Sequence, residues 1–437
     1  METDNRFINM DEQFLYYVWQ QGLMDKKRLR TINGESVEVI HPGRRNEGSG
    51  PDFRDARLRI GDKLWAGHVE IHLRSSDWFA HHHETDPAYD PVILHVVYEY
   101  DMPVFNTRNV EIPALEIREV IYPGVYDAYR RLHLSAHPLR CHGQTGLLPA
   151  EQRDLWIEKL FVERLREKTE YFSRLLDRSL QDWEGVLYTM LLRYFGMPVN
   201  TEVFEQIAQR LPFSVFRKYL DNLTRLEALL FGTARLLPPQ APDAYTRTLL
   251  DEYAFLAAKH RLKAVDKAPV FGRMRPQNFP TVRLAQLAKL YHDHPRLFTE
   301  LFHSREDFHW PVILRTATSP YWETRYRPGQ TSAKRRKTTG KNFIEKLIIN
   351  VLIPVQFAYE QHYGEPDADR LIDMARRLAP EHNRITRLFE KEGLPHPDAL
   401  HSQAYLRLFK HYCTQNRCTS CPFGHHILRS AGDNSGV

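Results

Sequence analysis

Acidic and histidine side chains recur close together near the amino terminus of the chain. Asp52 follows Pro51, and His68, Glu70 and His72 occupy alternate positions of a later segment that reads as a strand. Since side chains alternate along a strand, these three residues share one face. A buried carboxylate needs a partner, and a divalent cation is a suitable one. The spacing therefore makes Glu70 a candidate to bind a divalent cation.

The pattern resembles the core motif of the PD-(D/E)xK nuclease superfamily. In that motif an acidic residue follows proline at a strand start, here Asp52, and Glu-x-Lys follows on the next strand, here Glu70 with His72. The resemblance implies a metal-dependent nuclease that hydrolyses phosphodiester bonds in nucleic acid, preferably DNA. It also implies that Asp52 and Glu70 hold Mg²⁺ or Mn²⁺. A further ligand would come from Glu12 in the first helix or from the Ile71 carbonyl, and His72 would orient the attacking water.

His72 stands where the superfamily usually has lysine, and this departure motivates a second interpretation. A nuclease core that has lost its activity would serve as a non-catalytic nucleic-acid-binding or scaffold protein. A longer set of motifs, from Gly50-Pro51-Asp52-Phe53 through residues 195–200 to the terminal cysteines, is similar to an uncharacterised bacterial family labelled only as a domain of unknown function. That similarity implies no activity.

A cluster of six histidines offers the alternative of a zinc-dependent hydrolase, which would use three such ligands and leave a fourth position open. Asp77 and Asp86 lie among them. On a strand, His68 and His72 are about 13 Å apart and cannot bind one ion together. We expect a solvated or capping role for residues 81–83 and a hydrogen-bonded core position for the last histidine. The six are His68, His72, His81, His82, His83 and His95.

The acidic pair can form a site only under one geometric condition. A two-residue hairpin turn at Gly61-Asp62 leads to a register that places Asp52 opposite Ile71. Asp52 and Glu70 would then lie on opposite faces of the sheet. A three-residue loop, a bulge or an irregular strand start at Pro51 is therefore required.

The chain contains four cysteines, Cys141, Cys413, Cys418 and Cys421, too few for a disulfide scaffold. Three of them lie within nine residues, and thiolates at such spacing bind Zn²⁺ or an iron-sulfur cluster such as [4Fe-4S]. One upstream and three terminal cysteines also resemble the iron-sulfur clasps of some helicase-associated and CRISPR-associated nucleases. For a zinc site, His142, His425 or His426 could replace Cys141. The alternative is a set of reduced, partly buried thiols.

Two basic segments in the second half of the chain suit contacts with phosphates. Residues 325–346 hold eight Lys or Arg against one acid, and residues 259–275 hold six against one. Aromatic residues near the first segment could stack on bases. The alternative is that residues 334–341 form a solvated mobile loop. The predicted nucleic-acid contacts are Arg273, Arg275, Lys334, Arg335, Arg336, Lys337 and Lys341.

Composition narrows the class of protein. The 437 residues are 42% hydrophobic, which suits two or three folded domains, and the net charge of +5 is too small to indicate a nucleic-acid partner by itself. No apolar run approaches the roughly 20 residues of a membrane span, and no glycine-rich phosphate loop occurs. We therefore expect a cytoplasmic protein without a membrane partner and without ATP hydrolysis.

Hydrophobic periodicity predicts the helices and strands that position these residues. A helix is predicted over residues 11–23 with Asp11 as its N-cap, and a short helix after Ser75 would permit parallel pairing of the strands around it. Segments beyond about residue 140 are nearly all helical, except 430–437, which we expect to be disordered. The predicted strands are 36–40, 53–60, 64–73, 92–98 and 110–117.

This order predicts an α+β or α/β fold. Its amino-terminal part would be a restriction-endonuclease-like mixed sheet flanked by helices, as the superfamily resemblance implies. A mostly α-helical carboxy-terminal part would follow. The predicted domains are a PD-(D/E)xK-like nuclease core over residues 1–135, and a helical domain with a cysteine clasp over residues 136–437.

Overall fold

The structure is a computed structural model that describes residues 10–46, 48–303 and 309–433. Contacts within the chain divide it into two compact units. The sheet unit comprises the described residues up to Arg153 together with those from Phe409 onward, and the helical unit comprises Asp154–Leu408. This division differs from a single boundary after residue 135, because the carboxy-terminal segment packs into the core of the sheet unit.

A mixed six-stranded sheet forms the sheet unit. Its strands are β1 (Val37–His41), β2 (Arg44–Arg45), β3 (Phe53–Ile60), β4 (Lys63–Arg74), β5 (Val92–Glu99) and β6 (Ala114–Glu116). β3 pairs antiparallel with β1, β2 and β4. β4, β5 and β6 then pair in parallel. The mixed sheet, followed by a mostly helical region, confirms the predicted fold class.

Helices dominate the remainder of the chain. In chain order they are α1 (Glu12–Gln21), α2 (Asp77–Ala80), α3 (Val125–Leu134), α4 (Ala150–Arg178), α5 (Trp183–Phe195), α6 (Thr201–Arg210), α7 (Phe213–Phe216), α8 (Leu223–Thr233), α9 (Ala244–His260), α10 (Pro280–Asp293), α11 (Leu297–Phe302), α12 (Trp310–Ile313), α13 (Pro320–Glu323), α14 (Lys341–Leu347), α15 (Ile353–Tyr363), α16 (Ala368–Arg376), α17 (Arg384–Lys391), α18 (Ala399–Leu408) and α19 (Pro422–Asp433). A small hairpin, β7 (Arg325–Arg327) and β8 (Gln330–Thr331), lies within the helical unit.

Two of these helices bear directly on the predictions. α1 begins where expected, because the Asp11 carboxylate accepts a hydrogen bond from the Phe14 N–H at 3.0 Å, and it ends at Gly22 in a left-handed conformation. α19 extends through Asp433, so the predicted disorder from Ser430 is wrong for its first residues. Residues 434–437 lie outside the described part of the chain. None of the described helices is long and apolar enough to cross a membrane.

The two faces of the sheet carry different side chains. Val69 and Ile71 of β4 enter the main hydrophobic core, which also includes Phe14 of α1 and Leu428 of α19. A smaller apolar cluster around Trp78 lies under the segment that joins β4 to β5. Since side chains alternate along β4, its polar residues face away from the main core and toward this connecting segment. The candidate site is built there.

Candidate functional site

A β-bulge decides which face of the sheet Asp52 occupies. The hairpin register continues from Ile60 opposite Lys63 to Ala56 opposite Gly67, but Phe53 then lies opposite Val69. Three steps along β3 thus match two along β4, and the extra residue is accommodated where Asp55 adopts a positive φ of 60°. This bulge is one of the three irregularities that the sequence required.

The bulge brings the two predicted carboxylates together. The Asp52 N–H donates to Glu70 Oε2 at 2.9 Å, and the Ile71 N–H donates to Asp52 Oδ2 at 3.1 Å. Arg45 donates to Asp52 Oδ1 at 2.9 Å, and its guanidinium lies 3.5 Å from the ring centre of Tyr16. Burial raises the pKa of Asp52, while Arg45 opposes that rise. The pair is therefore anchored by backbone groups on both strands.

Glu70 connects the acidic pair to two histidines. Its Oε1 lies 3.3 Å from His83 Nε2 and 3.6 Å from His72 Nε2, and its side chain is 6% exposed. Burial is the main cause that raises the pKa of Glu70, and the charge of Asp52 raises it further. A buried carboxylate beside a second carboxylate is costly unless a cation offsets the charge.

Three histidines form a set that could bind a metal. Donor atoms of His72, His81 and His83 all lie within 4.8 Å of one another. His72 is the centre, since its Nε2 is 3.1 Å from His81 Nδ1 and its Nδ1 is 2.9 Å from His95 Nε2. Burial, followed by the other histidines, lowers the pKa of His72 to about 2. The ring is therefore neutral at physiological pH, the form in which imidazole binds metals.

The remaining histidines and aspartates of the cluster lie outside this set. His68 Nδ1 accepts the Asp55 N–H at 3.4 Å, and exposed His82 has a positive φ. Asp77 accepts the Arg74 N–H, and Asp86 caps a short turn. The expected solvated or capping role is wrong for His83, which is 7% exposed and lies 3.3 Å from Glu70. His81 is exposed as expected, although its Nδ1 lies 3.1 Å from His72 Nε2.

His95 occupies the core position that its strand predicted. It is fully buried in β5, and its Nε2 hydrogen-bonds His72. Burial lowers its pKa to about 3. Such a partner fixes the ring orientation of a metal-binding histidine.

Glu12 of α1 lies near the same site. Tyr16 donates a hydrogen bond to Glu12 Oε2 at 3.1 Å. Burial raises the pKa of Glu12, Asp52 raises it further, and His81 opposes the rise. The structure therefore groups the predicted residues Glu12, Asp52, Glu70 and His72 in one site.

Sequence reasoning missed several contributors. Arg45 and Tyr16 gave no motif signal, and Tyr89, whose ring stacks on His83 at 3.7 Å, reads as an ordinary core residue. A detectable signal was the His81-x-His83 spacing directly after the strand that carries Glu70. The ends of strands in a parallel pair are common positions for ligand-binding residues.

The four cysteines converge in the sheet unit. All four line a cavity of about 20 Å³, and none forms a disulfide. Burial raises the pKa of Cys421 to about 12, with a further rise from Cys141 and Cys418. His425 Nδ1 instead hydrogen-bonds the Tyr17 hydroxyl at 2.7 Å. The structure thus groups Cys141, rather than His425, with the three terminal cysteines.

The predicted basic contacts separate into two groups. Lys337 is 4% exposed, and its ammonium donates to the carbonyls of Trp322 and Arg325. Its expected role in phosphate contact is therefore wrong, because its hydrogen bonds are used inside the protein. The other six, Lys334, Arg335, Arg336, Lys341, Arg273 and Arg275, are exposed.

Lys341, Arg273 and Arg275 line a cavity of about 840 Å³ in the helical unit, together with Arg283 and Lys346. Arg283 is 8% exposed, donates to Gln286 and Asn278, and stacks 3.6 Å over Phe343. Burial lowers its pKa to about 10, and no carboxylate of the described chain contributes to that pKa. A guanidinium without a carboxylate partner suits an anionic ligand.

Comparison with known proteins places the chain in a family. It belongs to the family described as protein of unknown function (DUF2851), whose model matches residues 12–384. The matched region includes the carboxylate and histidine residues of the sheet unit. Searches of curated proteins and of solved structures gave no significant match.

Proposed function

We propose that this protein is a metal-dependent nuclease that hydrolyses phosphodiester bonds in nucleic acid, preferably DNA. The observation that carries the proposal is the convergence of Asp52 and Glu70 with the three-histidine set at β4. Two acidic residues on adjacent strands, with Glu12 in the preceding helix, also keep the order of the PD-(D/E)xK pattern. Four cysteines without a disulfide among them fit a reducing compartment, which supports a cytoplasmic location.

The donor set fits a divalent metal. Carboxylate oxygens suit Mg²⁺ and Mn²⁺, while neutral imidazoles shift the preference away from Mg²⁺, so we expect Mn²⁺ to support activity better. Glu70, His72, His81 and His83 would hold the ion, and Asp52 and Glu12 would supply further oxygens. Once bound, such an ion lowers the pKa of water and polarises a phosphate.

Other residues orient this set. Arg45 holds one oxygen of Asp52, and the Ile71 N–H holds the other. His95 fixes the ring of His72, which is too enclosed to contact a bulky substrate directly. We therefore assign His72 to metal binding in preference to water orientation.

The helical unit supplies a second argument for a polyanionic substrate. Its 840 Å³ cavity is lined by five basic residues and one acid, Glu381. A small-molecule hydrolase would not need such a surface, whereas a phosphate backbone would be attracted to it. Arg273, Arg275 and Lys341 remain the proposed contacts, and Lys337 is excluded.

The decisive experiment is a cleavage assay on the full-length protein. Labelled single- and double-stranded DNA and RNA would be incubated with Mg²⁺, Mn²⁺, Zn²⁺ or EDTA. We expect Asp52→Asn and Glu70→Gln to lower the rate by more than about 100-fold, since loss of a residue that only orients a metal ligand already costs about 10–100-fold. Exposed Asp62→Asn and Glu38→Gln are the matched controls. Equal cleavage by wild type and variants would identify a contaminant and overturn the proposal.

The three-histidine set favours a second candidate, a zinc-dependent hydrolase acting on a smaller ester. It would cleave a small phosphodiester with Zn²⁺ and leave every nucleic acid intact. Binding of nucleic acid without cleavage under any metal would instead favour the scaffold interpretation.

A further inference from the structure

The four cysteines come from two distant parts of the sequence but meet at one place. Cys141 lies in the loop after α3, whereas Cys413, Cys418 and Cys421 lie in the segment between α18 and α19. Together they line a cavity of about 20 Å³. None of the four forms a disulfide, and Cys421 is 7% exposed. The cluster is separate from the carboxylate and histidine site.

The backbone around the cluster is adapted to bring the sulfurs together. An added Cβ at Gly424 would lie 2.2 Å from the carbonyl oxygen of Cys418, so only glycine allows the Cys418 turn to lie against the start of α19. Asn416, in the loop that separates Cys413 from Cys418, adopts a positive φ of 57°. A tight turn at this position returns the chain toward the cavity.

Backbone N–H groups and arginine side chains surround the sulfurs. The N–H groups of Phe423 and Gly424 are directed at the sulfur of Cys421. Arg140 and Arg417 line the same cavity as the four cysteines. Hydrogen bonds to sulfur and nearby positive charge are features of thiolate ligands rather than of inert buried thiols.

We propose that Cys141, Cys413, Cys418 and Cys421 hold one thiolate-bound metal centre, either a zinc ion or a [4Fe-4S] cluster. Both centres take four cysteine ligands. One observation favours the zinc ion, and another favours the cluster. The cavity has room for about one water-sized sphere, which suits a single ion. Within the described chain, however, no three of these sulfur atoms all lie within 4.8 Å of one another. This spacing is wider than that of four thiolates around one tetrahedral zinc ion, and it favours the larger cluster.

The centre would fasten the carboxy-terminal segment to the sheet unit. Cys141 and Cys418 pack against the main core, where Ile427 and Leu428 of α19 are buried. His425 of α19 hydrogen-bonds Tyr17 of α1, the residue after Tyr16. Loss of the metal would therefore loosen α19 and, through it, the helix that carries Glu12.

The test measures metal in protein purified without oxygen. A Glu70→Gln, His83→Ala background disables the other proposed metal site, so metal in this protein comes from the cysteines. We expect about one zinc, or about four irons with equal sulfide and visible absorbance, per chain. Cys418→Ser should lose most of that metal and lower the Tm, whereas Ser420→Ala, an exposed neighbour, should change neither.

A second measurement keeps the proposal testable if Cys418→Ser does not fold. The folded Glu70→Gln, His83→Ala protein would be titrated with a mercurial reagent that reacts with thiols. The amount of metal released should rise in proportion to the number of thiols that have reacted. Metal-free background protein, or metal that stays bound after all four thiols have reacted, would overturn the proposal. Either result leaves the nuclease proposal untouched, because that proposal rests on the histidine and carboxylate site.

Discussion

Each unit buries a glutamate, and the two carboxylates have very different surroundings. Glu227 in the helical unit is fully buried, and its Oε2 accepts hydrogen bonds from Trp322 and Tyr245. Glu70 in the sheet unit adjoins Asp52 and His83, which are themselves potential metal ligands. Burial alone therefore does not identify a functional site; the chemical identity of the neighbouring side chains does.

The buried cations show the same contrast. Lys337 directs its ammonium at two main-chain carbonyls and lies 4.2 Å from the ring centre of Tyr326. Arg283 lines an open cavity and stacks on Phe343. The hydrogen bonds of Lys337 stabilise the fold, whereas Arg283 also borders the cavity. Variants that separate these roles would sharpen or break the comparison.

The largest effect is expected from Asp55→Val, because a β-branched residue disfavours the positive φ of the bulge. A regular register that keeps every residue of β3 would place Asp52 opposite Ile71, on the other face of the sheet from Glu70. Metal-dependent cleavage should fall by more than about 100-fold, since even a 1 Å misplacement can cost that much. Asp55→Asn keeps the bulge, because asparagine tolerates a positive φ, and should retain activity. An Asp55→Val variant that folds by circular dichroism and cleaves normally would show that the bulge does not position Asp52.

A smaller loss is expected from His95→Phe, which keeps the ring volume but removes the hydrogen bond to His72. Metal affinity should fall by about 10–100-fold, the usual cost of losing the partner of a metal ligand. Titration of the metal-free protein with Mn²⁺ would measure it. His68→Gln is the control, since His68 lies outside the three-histidine set. Unchanged affinity in His95→Phe would place the metal away from His72.

Lys337→Ala should destabilise the helical unit without affecting the metal site. Its removal deletes two hydrogen bonds from a charged donor, to the carbonyls of Trp322 and Arg325, at a cost of about 2–4 kcal/mol in the free energy of unfolding. Exposed Lys334→Ala should change that free energy by less than about 0.5 kcal/mol. Urea denaturation followed by circular dichroism distinguishes the two. Equal stability of the variants would mean that Lys337 is free to bind phosphate after all.

The smallest effect concerns pH and Glu227. Burial raises the pKa of Glu227, so the folded state holds a proton more tightly than the unfolded state does. The stabilising contribution is therefore complete below the unfolded pKa of about 4.3 and is lost as pH rises through the folded pKa. The Tm of Glu227→Gln should therefore rise relative to that of wild type as pH increases from 4 to 8. The expected difference is about 2–4 °C for each 1 kcal/mol of unfolding free energy that wild type loses.

Exposed Glu202→Gln on α6 is the matched control and should follow the wild-type profile. A Tm difference between Glu227→Gln and wild type that is the same at every pH would contradict the raised pKa.

Sequence periodicity predicted most elements because helices and strands bury residues at regular intervals. The acidic pair was found by its order along the chain, and the cysteine group by its spacing. The position of the bulge at Asp55 could not be read in this way, because it depends on pairing between two strands. Residues 81–83 lie in a short irregular segment without a period, and the inward direction of His83 was therefore missed.

The same limit applies to Lys337. In the run 334–337 all four side chains are basic, and nothing in the run distinguishes the one that turns inward. Lys337 turns inward because Trp322 and Tyr326 pack around it. A run of basic residues therefore predicts a basic surface, but it does not show which residues of the run are exposed.

The return of residues after Phe409 to the sheet unit has a consequence for biosynthesis. Ribosomes deliver the chain from its amino terminus at roughly 5–20 residues per second, so the sheet must wait roughly 10–60 seconds for its last helix. During that interval the surface that receives Leu428 is uncovered. Nascent sheet units on neighbouring ribosomes would expose the same apolar surface, so synthesis of the helical unit is the interval in which the sheet unit is most prone to aggregate.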